Sequence, residues 1–104
     1  MATKMRDTGR DLSDTDRIAW RALQTMPNVG PAIARDLLRL GIRRPGDLVG
    51  RDPDALYEEL AVLDGAPSDP CVRDTLMAVV DYAETGQAVP WWHYTPKRKA
   101  RERK

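Results

Sequence analysis

The chain of 104 residues has no phenylalanine, a single cysteine (Cys71) and a single histidine (His93). Each scarcity removes a class of chemistry. One cysteine closes no internal disulfide, which fits a reducing, cytoplasmic setting. One Cys and one His fall short of the about four ligands a structural zinc takes. As a nucleophile pair they would need a third group to orient the imidazole. Cys71 sits at the first turn of an expected helix, where the dipole favours a thiolate, but the reading taken is a small, buried and quiet side chain. The sequence has no phosphate-binding glycine loop, nucleotide fingerprint, Ser-His-Asp set or metal motif. The densest acidic group, Asp52, Asp54, Glu58 and Glu59, suits a helix cap and first turns better than acid–base work. No apolar run approaches the ~20 residues that cross a bilayer. Residues 1–12 are polar and charged, so no secretory signal is expected. These absences point to a non-enzymatic protein without cofactor, metal or membrane association.

What is present is 41% hydrophobic and 32% charged residues, enough for one domain with a modest core. Three Trp and three Tyr carry the aromatic mass. The net charge of +1 conceals an asymmetry. Residues 97–104 hold six basic residues against Glu102, a net +5; the remainder holds eleven basic and fifteen acidic residues, a net −4. A basic end on an acidic body suits contact with a polyanion, or a merely solvated tail.

Punctuation along the chain is clear. Residues 1–12 read as disordered. Ser13 caps a helix over 14–26, with Ala19, Leu23 and Met26 as its apolar stripe, stopped by Pro27. A second helix over 31–40 opens at Pro31, repeats the spacing in Ile33, Leu37 and Leu40, and ends at Gly41. A short turn follows at 45–49. Asp52 and Pro53 open a third helix with Leu56, Leu60 and Leu63, closed by Gly65. Asp69 and Pro70 open a last helix with Val72, Leu76, Val79 and Ala83, closed by Gly86. No strand pattern occurs. Residues 45–63 read as a degenerate partner pair that supplies core to the first two helices. Residues 96–104 read as a basic flexible tail.

The junction Met26-Pro27-Asn28-Val29-Gly30-Pro31-Ala32-Ile33-Ala34 is the most informative stretch. Asn28 and Gly30 tolerate positive φ, and the turn delivers free amides at a helix N-terminus, where a phosphate can sit. The run resembles the helix-hairpin-helix motif, Pro-Gly-hydrophobic-Gly with Ala four residues on. Val29, Gly30 and Ala34 match, and Asn28 stands for the first Gly. In that family the hairpin amides hold a nucleic-acid phosphate without reading sequence. The ordered set Gly41-Ile42-x-x-Pro45-x-Asp47-Leu48, Arg51-Asp52-Pro53-x-x-Leu56-Tyr57, Asp69-Pro70-Cys71-Val72 and Trp91-Trp92-x-Tyr94 is similar to the small bacterial pathogenicity-locus family, also labelled mitomycin-resistance-like. The resemblance covers roughly residues 15–95. It implies an all-α fold, a compact bundle of four to five short helices containing a helix-hairpin-helix in a SAM-like arrangement.

The expected contact residues are Asn28, Val29 and Gly30 of the turn, and Arg35, Arg39, Arg43 and Arg44 on and after the second helix. Lys97, Arg98 and Lys99 of the tail complete the set. The expected partner is nucleic acid, through the DNA phosphate backbone. The alternative is a protein-interaction module of the same fold, in which the arginines are an ordinary solvated face. The cluster Trp91-Trp92-His93-Tyr94 has two readings: rings that lock the C-terminal segment onto the core, and rings that stack on unpaired bases.

Overall fold

Ser13, Asp52 and Asp69 each accept a backbone amide from the turn they open, of Asp16 at 3.1 Å, Asp54 at 3.0 Å and Cys71 at 2.8 Å. Each such cap is worth ~1 kcal/mol. They start α1 (Asp14–Leu23), α3 (Pro53–Asp64) and α4 (Pro70–Thr85). Between them lie α2 (Pro31–Arg39) and a 3₁₀ turn at Pro45–Leu48; a second 3₁₀ turn at Trp91–Tyr94 leads into α5 (Thr95–Glu102). The computed structural model describes residues 8–102. Among them every regular element is helical, so the fold is an all-α bundle.

Leu23, Leu37, Leu48, Leu56, Leu60, Leu76 and Val79 are fully buried and come from every element up to α4. Ala34 is buried too, which lets α2 lie close to its neighbour. The Trp20 indole N–H donates to the Pro31 carbonyl at 3.0 Å and sews α1 to the first turn of α2. α2 ends in a Schellman motif: Ile42 N–H donates to Leu37 O at 2.9 Å and Gly41 N–H to Leu38 O at 3.0 Å, with Gly41 at φ 84°. α4 is the hub, with α3, both 3₁₀ turns and α5 packed on it, while α1 packs on α2. Residues 45–63, expected to partner the first helix pair, therefore lean on α4.

Four expectations change. α1 stops at Leu23 rather than Met26, because the amides of Gln24, Thr25 and Met26 each bond three residues back, at 3.2 Å, and tighten the chain before Pro27. Leu63 is 53% exposed; α3 buries Leu56, Tyr57 and Leu60, and Leu63 instead borders a surface depression with Leu40. Of the segment expected to be disordered, residues 1–7 lie outside the described residues, but Gly9–Leu12 form a turn against Trp20. Arg17 holds that turn by donating to the carbonyls of Gly9 and Leu12 at 3.2 and 3.1 Å. Finally, the segment expected as a flexible tail is helical from Thr95 to Glu102. Residues 103–104 lie outside the described residues.

Candidate nucleic-acid interface

The turn between α1 and α2 needs one left-handed residue, and Asn28 is it, at φ 70°. Asn visits that region more readily than most residues. Gly30 does not use its freedom: it is extended, at φ −97° and ψ −173°. The Asn28 carboxamide donates to Val89 O at 2.8 Å and accepts the Trp91 amide at 3.0 Å. Both ends of this side chain are spent on bracing the C-terminal segment, so any phosphate contact at Asn28 falls to its backbone rather than its carboxamide. Val29 is buried, and its amide donates to Met26 O at 3.3 Å. The open donors lie one turn on. Gly30 caps α2 without a side chain, and Pro31 has no N–H. The Ala32 and Ile33 amides belong to the first turn, whose N–H groups have no intrahelical acceptor. Gly30 and Ala32 are exposed, and no atom lies within 4 Å of the place a Gly30 Cβ would take.

The arginines that follow are matched by carboxylates. Arg35 grips Asp11 with both terminal nitrogens at 2.9 Å. Arg39 bridges Asp36 and Asp64, and Arg43 meets Asp16 at 2.8 Å. Burial pushes the Asp36 carboxyl above its usual range, with Arg39 opposing that rise. Arg44, 81% exposed, has only a loose pairing with Asp47 at 3.8 Å. Arg35, Arg39 and Arg43 surround a surface depression of about 220 Å³ with Leu12 and Leu38 in its wall. The arrangement is a network of ion pairs rather than an unopposed basic track.

The C-terminal segment divides by face. Tyr94 and Arg98 are buried, and Trp91 and Thr95 are half-buried, a helical stripe turned toward α4. Arg98 Nε donates to Asp74 Oδ1 and the Thr95 hydroxyl to Asp74 Oδ2, both at 2.8 Å, with Asp74 fully buried. The Tyr94 hydroxyl donates to Asp81 at 2.6 Å. Burial, with Asp81 adding to it, pushes that phenol up to about 12. Arg98 is thus an internal anchor rather than a surface cation. Lys99 is exposed, and Lys97 lies in α5. Hydrophobic periodicity missed this helix because its packing face is made of a tyrosine, a threonine and an arginine.

The remaining candidates resolve locally. Cys71 is half-buried, and the Asp69 carboxylate beside it pushes its thiol up, opposite to the pull expected from the helix dipole. Asp69, accepting the Cys71 amide, is held below the usual carboxylate range. Asp52 caps α3, Asp54 lies 3.5 Å from Arg73, and Glu59 pairs with Arg51 at 3.3 Å. Among the described residues no group of three His, Cys, Asp or Glu side chains is placed to hold a metal, and no helix is long and apolar enough to cross a membrane.

Comparison with known proteins bears on this architecture. No solved structure matches the chain. A mitomycin resistance protein, McrB, of Streptomyces lavendulae is 49% identical over 77 residues, which are 74% of this chain and 73% of that protein. The model of the family described as pathogenicity locus, Cdd1, matches residues 16–100, a span that runs from the first turn of α1 almost to the end of α5. The chain therefore belongs to the pathogenicity-locus family.

Proposed function

We propose that the protein is a non-enzymatic binder of nucleic-acid backbone, DNA in the first instance, that holds a phosphate at the N-terminus of α2 without reading sequence. In this reading the α1–turn–α2 unit works as a helix-hairpin-helix. One observation carries it. Gly30 has an extended backbone that any residue adopts, and open space where a Cβ would stand. Inside the fold its one service is as a fair N-cap, which Ser, Asp or Asn would fill as well or better. A side chain at Gly30 would obstruct only something that approaches the Ala32 and Ile33 amides from outside. Those amides and the positive end of the helix dipole form an anion site.

Affinity is modest on this account, because Arg35, Arg39 and Arg43 must leave their carboxylates to reach a second phosphate. Arg44 and Lys99 are better placed to contribute. A titration of labelled single- and double-stranded DNA at two salt concentrations tests the proposal. Binding with a shallow slope of log K against log salt, about −1 to −3 on duplex, is expected for one to three neutralised phosphates. Absence of binding at low salt transfers the reading to a protein-interaction module in the same cytoplasmic setting. That alternative has its own observation. Val62 and Leu63 are 82% and 53% exposed, and with Leu40 they line a depression of about 290 Å³ rimmed by Arg39 and Glu59.

A further inference from the structure

We propose that the outward face of the Trp91–Glu102 segment is a stacking platform for unpaired bases, so that the ligand is single-stranded nucleic acid. The proposal rests on the phosphate-binding reading above and adds the strand state of the ligand. The residues that face away from α4 are Trp92, His93, Pro96 and Lys99, all exposed. Trp92 is 62% exposed, although a tryptophan is seldom left in water. Burial does not account for it, because Trp91 and Tyr94 already do the packing on this segment. Trp92 meets Trp91 in a T-shaped arrangement, centroids 5.8 Å apart and planes at 84°, and still leaves most of its surface open. His93 is fixed likewise, edge-on to Tyr94 at 5.9 Å.

Two rings, a proline and a cation on one face form the combination that binds single strands: flat π-faces that accept any base, with charge for the backbone. The Asn28 brace ties the start of this segment to the turn before α2: its side chain accepts the amide of Trp91, the residue next to Trp92. The proposal has a strand whose phosphate sits at Ala32 and Ile33 lay a neighbouring base on Trp92. A paired base is already stacked in its duplex and offers no such face.

The test is a titration of the full chain with an oligothymidylate of about 12 nucleotides, within the site sizes single-strand binders take, and with a duplex of the same length. Intrinsic fluorescence and anisotropy are followed together. The single strand should quench the exposed indole and bind at least about tenfold more tightly than the duplex. Trp92→Ala should lose the quenching and about tenfold of single-strand affinity, with duplex binding unchanged. Trp92→Phe should lose the quenching but keep most of the affinity, since a smaller ring still stacks. Equal affinity for the two forms with no effect of Trp92→Ala overturns the platform and leaves the phosphate site standing. No binding of either form overturns both. Trp92→Ala weakening both forms alike would also overturn it, because the ring would then be serving the fold or the charge alignment.

Discussion

Gly9 and Gly30 are opposite cases of the same residue. Gly9 sits at φ 69°, and a Cβ there would stand 2.8 Å from the Trp20 ring. Gly9→Ala should therefore cost about 1–3 kcal/mol, through left-handed strain and displacement of the indole. A melting temperature equal to wild type would show that the N-terminal turn does not dock on Trp20. Gly30→Val, at an extended residue with open space where a Cβ would stand, should cost no more than the loss of a fair cap for a poor one. Cys71 makes a chemical prediction of the same size. With its thiol raised by Asp69, native protein should react more slowly with a thiol reagent at neutral pH than a free cysteine does. Fast alkylation would contradict the placement of Cys71 next to that carboxylate.

At the scale of elements, α5 is the least expected feature and the one with the clearest energetic cause. Arg98→Ala leaves Asp74 buried without its counter-charge, a change that costs about 3–5 kcal/mol. Pairing Arg98→Met with Asp74→Asn should recover much of that loss in a denaturant melt. If Arg98→Ala melts like wild type, α5 is not anchored as described. Deleting residues 97–104 removes this anchor together with the cations, so Lys99→Gln is the better test of charge. Tyr94 adds a pH dependence. Its folded pKa of about 12 exceeds the unfolded value of ~10. The neutral phenol therefore contributes stability that is complete below pH ~10 and lost as pH rises toward 12. Tyr94→Phe should flatten the stability profile between those two values.

The boundaries of α2, α3 and α4 were legible because proline, an aspartate cap or a glycine marks their ends, and these act within a few residues of chain. The anchors of the C-terminal segment were not. Asn28 meets Trp91 across 63 residues, and Arg98 meets Asp74 across 24. Neither leaves a periodic trace, since the residues involved are polar and read as turn or surface types. The same blindness affected the site. Arg35, Arg39 and Arg43 look like a basic track until the fold supplies Asp11, Asp64 and Asp16 from elsewhere in the chain.

For the molecule as a whole, α2 opens without a side-chain cap, Trp92 and Lys99 are exposed on the C-terminal segment, and Arg35, Arg39 and Arg43 are paired with carboxylates. The central claim is that Gly30 is kept bare for a ligand rather than for the fold. Gly30→Asp tests it most directly, with a thermal melt and a DNA titration run on the same sample. An aspartate at this N-cap accepts the Ala32 or Ile33 amide and complements the helix dipole, so the protein should gain a few tenths of a kcal/mol. The same carboxylate occupies the donors and repels phosphate, so DNA binding should fall by tenfold or more, as expected for loss of a charge-assisted hydrogen bond worth about 1.5–3 kcal/mol. Stability raised and binding lost is the predicted result. Binding unchanged in a protein that melts at or above the wild-type temperature would contradict the account.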